Sequence, residues 1–219
     1  MTINKGTSIA DRVFDQLEGE ILSGQYPPGT SLTELGIAEN LGISRTPVRE
    51  AIRRLEQENL VAASGKGIVI HGVSKDDLLD IYEIRLRIEG LAAARAAVHI
   101  TDDQLLSLKE AVDLYDFYTS RASAEQIKST DTAFHAVIFD ACGSDILRDI
   151  LTMLHRRIQG YRRRSLEDPN RATAAAEEHR SIYEAIASGD SSLAEKQAIQ
   201  HIQNALNNIL RKSAETEIN

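Results

Sequence analysis

The stretch Ser44-Arg45-Thr46-Pro47-Val48-Arg49-Glu50-Ala51-Ile52-Arg53-Arg54-Leu55 decides the fold of the first part of this chain. Val48, Ala51, Ile52 and Leu55 recur at helical spacing and make one apolar stripe. Arg45, Arg49 and Arg53 fall at i, i+4 and i+8 on the opposite side. Ser44 suits the N-cap, and Pro47 sits in the first turn, where a missing N–H costs little. The pattern predicts a helix over 44–58 with one face to bury and a guanidinium face to present. A solvated face with salt bridges to Glu50 or Glu56 would show the same arginines, so the surroundings decide.

Those surroundings fit a DNA reader. Residues 33–40 read as a short helix joined to the first through Gly42. Upstream, residues 8–23 place Ile9, Val13, Leu17 and Ile21 on one face and stop at Gly24, before the rigid turn Tyr26-Pro27-Pro28-Gly29. Downstream, Leu60-Val61-Ala62 and Ile68-Val69-Ile70 bracket Gly65-Lys66-Gly67 and read as a two-stranded wing. Residues 1–73 are therefore expected to form a winged helix-turn-helix. An arginine can grip guanine O6 and N7 together, and the hydroxyls of Ser44 and Thr46 suit phosphate oxygens. Net charge argues the other way: the chain carries −8, and residues 1–72 hold seven Lys/Arg against nine Asp/Glu. Four of those seven lie between positions 45 and 54, so a local stripe has to attract the phosphates.

From Ser74 onward no strand is expected. Ser74 with Asp77, Thr101 with Gln104 and Ser123 with Gln126 mark helix starts at capping-box spacing. Further starts lie near Ser144, Asn170 and Asp190, and about six helices fill residues 74–213. The expected fold class is mainly α: an N-terminal winged helix-turn-helix plus an all-α C-terminal helical bundle over 74–219. The apolar and charged fractions are ordinary, no run approaches the ~20 apolar residues that span a bilayer, and the single cysteine, Cys142, fits a reducing compartment. A cytoplasmic protein without membrane contact is expected.

The second part carries a metal-ligand constellation. Asp131 and His135 stand at i, i+4 on one helix face. His179 and His201 lie about eleven residues before and after a turn centred on Gly189-Asp190, so an antiparallel hairpin sets them at the same height. One carboxylate and three imidazoles suit a divalent transition metal, with zinc first and nickel, manganese or iron as alternatives.

Two resemblances extend this reading. Residues 28–55, above all Ser-Arg-Thr-Pro-Val-Arg-Glu-Ala, resemble the GntR family of bacterial transcription regulators. That resemblance implies a recognition helix in the major groove, Arg45 and Arg49 contacting bases or nearby phosphates, and Lys66 at the wing tip over the minor groove. Relatives commonly carry an arginine and an acidic residue where this chain has Leu35-Gly36, so one basic contact is expected to be missing. Glu83-Ile84-Arg85-Leu86-Arg87-Ile88-Glu89, then Asp131-x-x-Phe134-His135, His179 and His201-Ile202, resemble the FCD effector domain of the FadR subfamily. In its metal-containing members the ligands occupy the positions of Asp131, His135, His179 and His201. The resemblance implies a small carboxylate held at the metal, a homodimer and a palindromic operator. Arg85 is a candidate second anchor for the acid, with a salt bridge to Glu89 as its equal alternative, and Asn204 can line the same pocket. His71, His99 and His155 read as structural or solvated, and the basic run 156–164 as an exposed face.

Two function classes follow. One is a regulator, not an enzyme, whose operator binding responds to the acid. The other is a metal-dependent hydrolase with an accessory DNA-binding domain, since a metal with open positions activates water. No Glu or His stands out as a dedicated general base for the second. An architectural DNA binder would leave the four ligands idle.

Overall fold

The computed structural model describes residues 8–65 and 67–217. Among them the order is α1 (Ile9–Leu22), β1 (Ser31–Thr33), α2 (Glu34–Leu41), α3 (Arg45–Gln57), β2 (Val61–Ser64), β3 (Gly67–Ile70), α4 (Lys75–His99), α5 (Asp102–Ser120), α6 (Ala124–Ala141), α7 (Asp145–Arg157), α8 (Gln159–Leu166), α9 (Pro169–Ala187) and α10 (Ser191–Glu217). The chain divides into two compact units between Leu78 and Leu79, within α4.

In the first unit, a reciprocal capping box between Ser8 and Asp11 starts α1. Its stripe of Val13, Phe14, Leu17 and Ile21 shares one core with Val48, Ala51, Ile52 and Leu55 of α3 and with Leu60, Ile68 and Ile70. Gly42 closes α2 in the left-handed region, at φ +64, and frees the chain to turn into α3. Ser44 holds the N-cap position of α3, but its side chain makes no capping hydrogen bond.

The sheet has three strands, not the expected two, in the order β1-β3-β2 with both pairs antiparallel. β1 is three residues long and runs directly into α2, too short for an alternating pattern. Thr33 ends the strand and also caps the helix, its Oγ1 accepting from the Gly36 N–H at 3.0 Å. β1 lies so close to β3 that a Cβ on Gly67 would sit 2.1 Å from the Leu32 carbonyl oxygen.

The second unit is all helical, with seven helices rather than six. The additional break is at Ile158, whose φ of −102° and ψ of 13° separate α7 from α8. Thr101 with Gln104 and Ser144 cap α5 and α7 as expected, and α9 begins at Pro169, near the expected Asn170, with Asp168 as its cap. The core joins Ala92, Ala93 and Ala96 of α4 to Leu108, Phe134, Ile138, Leu151, Ile182 and Ala198. Small residues let helices approach closely: a Cβ on Gly90 would meet Ile199 at 2.7 Å. Cys142 is fully buried beside the α6–α7 turn, with Sγ 3.6 Å from the Ser144 carbonyl. No helix among the described residues is long and apolar enough to cross a membrane.

Candidate metal centre and nucleic-acid face

The buried faces of α6, α9 and α10 each turn from apolar to ligating at mid-helix. On α6, Ile127 and Ile138 flank Asp131, Phe134 and His135; on α9, Ala172, Ala175 and Ala176 lead to His179. The structure brings Asp131, His135, His179 and His201 to one place, all of them buried. The ligand nitrogens of the three histidines lie within 4.8 Å of one another. Asp131 Oδ1 lies 3.5 Å from His179 Nε2 and 3.9 Å from His135 Nε2. Tetrahedral zinc ligands at ~2.0–2.1 Å from the ion stand about 3.3 Å apart, so the Asp131 contacts need little closing and the histidine nitrogens have to draw in further.

The donor set fits a metal on a second ground. His179 has no exposed surface, and neither of its ring nitrogens has a hydrogen-bond partner. A buried, unpaired polar atom costs about 1–3 kcal/mol, and coordination at one nitrogen relieves it. Phe134 stacks on the ring at 4.1 Å and Tyr115 meets it edge-on at 4.7 Å, fixing its plane. Burial, reinforced by the nearby cationic form of His201, lowers the His179 pKa to about 3. Burial also pushes His135 well below its ordinary value. Both rings are therefore neutral near pH 7, as coordination requires. Burial works to raise the Asp131 carboxyl, but the Arg162 guanidinium beside it overrides that and holds it low.

Carboxylates behind the ring orient two of the ligands. Glu178 Oε2 accepts from His201 Nδ1 at 2.7 Å, and Glu178 is itself held by Arg171 at 2.8 Å and by Asn204 Nδ2 at 2.7 Å. Glu89 Oε2 lies 3.6 Å from His135 Nδ1, while its other oxygen binds Arg85 at 2.5 Å and His155 at 2.8 Å. Such partners fix the ring orientation and turn the opposite nitrogen to the metal. The cavity lined by Arg85, Asp131, His135, Arg162, Arg171 and His201, among others, has a volume of about 20 Å³, room for one ion or one water.

These contacts correct several expectations. His155 is neither solvated nor peripheral: it is buried between Glu89, His135 and Arg85, and burial lowers its pKa to about 3. Arg162 leaves the supposedly exposed basic face and pairs with Asp131. Arg85 makes the Glu89 salt bridge and lines the cavity at once. Asn204 reaches the site only through Glu178. Glu178 and Arg171 were not singled out from sequence, and Glu89 only as the salt-bridge partner of Arg85; Glu178 is adjacent to His179, but adjacency in a helix carries no signal of shared function.

On the first unit, Arg45, Arg49 and Arg53 line one open groove with Glu56 of α3 and Ala63 and Gly65 of the wing. Arg45 and Arg49 are about half exposed, and both grip Glu34, at 2.8 and 2.9 Å. Those two guanidiniums hold the Glu34 carboxyl down to about 2. Ser44 and Thr46 are exposed at the start of α3, and Leu35 is exposed on α2. Lys66 lies outside the described residues.

The sequence profile of the FCD domain matches residues 80–204, and that of the bacterial regulatory proteins of the gntR family matches residues 9–70. The chain belongs to the GntR family, with an FCD domain. It is 30% identical to the HTH-type transcriptional regulator McbR of Escherichia coli over 155 residues, 70% of each chain. It is 29% identical to a probable D-xylose utilization operon transcriptional repressor of Paenarthrobacter nicotinovorans over 205 residues, 90% of this chain and 86% of that one. The solved structure of E. coli McbR/YncC superposes with a TM-score of 0.80 at 24% identity, covering 95% of this chain and all of that one, which shows the shared fold. The chain is thus a transcriptional regulator of the GntR family, and the relatives it matches are regulators rather than enzymes. The histidine and carboxylate cluster of its FCD domain is compatible with a bound metal.

Proposed function

We propose that this chain is a metal-dependent, acid-responsive repressor acting in the cytoplasm as a homodimer on a palindromic operator. Residues 1–73 read DNA through Arg45, Arg49 and Arg53, with Ser44 and Thr46 on phosphates and Lys66 at the wing. Residues 74–219 hold the effector and the dimer contact. Asp131, His135, His179 and His201 hold a divalent metal, zinc first, with nickel, manganese or iron as alternatives. The observation that carries this reading is His179: a fully buried imidazole whose two nitrogens make no hydrogen bond, beside Asp131, His135 and His201. When bound, the metal supplies a Lewis-acidic position for a carboxylate oxygen. Glu178 and Glu89 orient the imidazoles, Tyr115 and Phe134 keep water from them, and Arg85 supports the acid. The acid regulates only by binding one arrangement of the dimer more tightly than another. The hydrolase reading gains nothing from the matched families.

The test is metal analysis of the purified protein, followed by chelation. Near-stoichiometric metal and a lower melting temperature after chelation support the centre; no metal and an unchanged melting temperature overturn it.

A further inference from the structure

Three arginines converge on the cavity beside the candidate ligands: Arg85 from α4, Arg162 from α8 and Arg171 from α9. They are 2%, 11% and 6% exposed. Each is matched to one carboxylate: Arg85 to Glu89, Arg162 to Asp131 and Arg171 to Glu178. These three ion pairs sum to zero charge before any ion enters.

A divalent metal changes that balance. It adds two positive charges to a buried site, where uncompensated charge is expensive. It also takes the charge of Asp131, so Arg162 loses the anion it was paired with. Free donor capacity is already present: Arg171 Nε and Nη1 are buried without hydrogen-bond partners, and Arg85 Nη1 lacks a well-formed one. One carboxylate would leave a net charge of +1 in this environment; two anionic charges close the balance.

From this we infer that the effector of the metal-loaded protein is a compact dianion, a short dicarboxylate or a phosphate species, rather than a monocarboxylate. One anionic oxygen sits on the metal, and the second negative charge answers the guanidinium cluster, Arg171 foremost. The inference rests on the metal-and-carboxylate reading above. With a volume of about 20 Å³, the cavity does not hold an organic acid until side chains give way. Arg162 is the side chain that metal binding releases, so the ligand enters where that guanidinium lay.

Isothermal titration of the metal-loaded full-length protein compares malonate, succinate and inorganic phosphate with acetate and propionate at matched ionic strength. At least one dianion is expected to bind about tenfold or more tightly than either monoanion, the scale of one charge-assisted hydrogen bond. The dicarboxylate and phosphate arms tell the two sources apart. In Arg171→Gln that preference is expected to collapse; if this variant fails to load metal, Arg171→Lys, which keeps the charge but loses the fork, replaces it and shows a reduced preference. Monoanions binding as tightly as every dianion would overturn the inference and leave the carboxylate reading standing. No binding by any of the five acids would overturn both.

Discussion

Glu34 holds both Arg45 and Arg49, so in the proposed reading of DNA by those arginines it would act through them. A carboxylate at the tip of the arginine stripe cancels part of its attraction for phosphates while fixing where the forks point. Glu34→Gln is expected to strengthen binding to a random-sequence duplex by about two- to five-fold, the scale of one exposed ion pair. Its discrimination in favour of a duplex selected by the wild-type protein should fall. Fluorescence anisotropy on the two duplexes measures this, and an unchanged ratio would show that Glu34 is only a neighbour. Arg49→Ala should lose about 10–100-fold on the selected duplex. On the metal side, Glu178→Gln keeps the shape beside His201 but removes the charge that orients it. Competition with a chelating dye is expected to report about 10–100-fold weaker metal binding, and an unaltered affinity would dismiss Glu178 as an orienting group.

At the scale of elements, the close approach of β1 and β3 permits one test free of any ligand. In Gly67→Ala the new methyl meets backbone, not a side chain that can swing away. The first unit should lose roughly 1–3 kcal/mol in denaturant unfolding, the usual range for overpacking, and a smaller loss would mean the strands separate easily. The same elements show what sequence can and cannot reveal. α3 was legible because its apolar stripe and its arginines each repeat at helical spacing. The four candidate ligands were legible because two share a helix face and two share a hairpin. β1 was not, since three residues carry no alternation. The break at Ile158 lay inside a basic run, and its one glycine, Gly160, falls within α8 rather than at the break. His155, Glu89, Glu178 and Arg162 joined the site through helix packing between distant segments, which no local pattern encodes.

For the molecule as a whole, the buried imidazoles set its response to acid. Unfolded histidines take up protons near 6.5, whereas burial holds His155 and His179 near 3. Between those values the unfolded chain binds more protons, so stability falls as pH drops, by up to about 1.4 kcal/mol per pH unit for each ring. The carboxylate of Glu178, lowered to about 2 by His201 and Arg171 against the effect of burial, adds to the loss below about pH 4.5. Calorimetry at pH 7.5 and 5.5 should therefore show a lower melting temperature at pH 5.5, before any carboxylate titrates. A transition of the second unit that does not move would mean the rings are protonated in the fold. Cys142, the chain's one thiol, is sealed beneath the α6–α7 turn and beyond the reach of alkylating dyes in the folded protein. The native sequence is thus already a blank for labelling. A cysteine introduced at exposed Glu50 on α3 would be the single modifiable position in each chain. In the proposed homodimer, paired spin labels there would turn the separation of the two α3 helices into a ruler, read with and without a candidate acid.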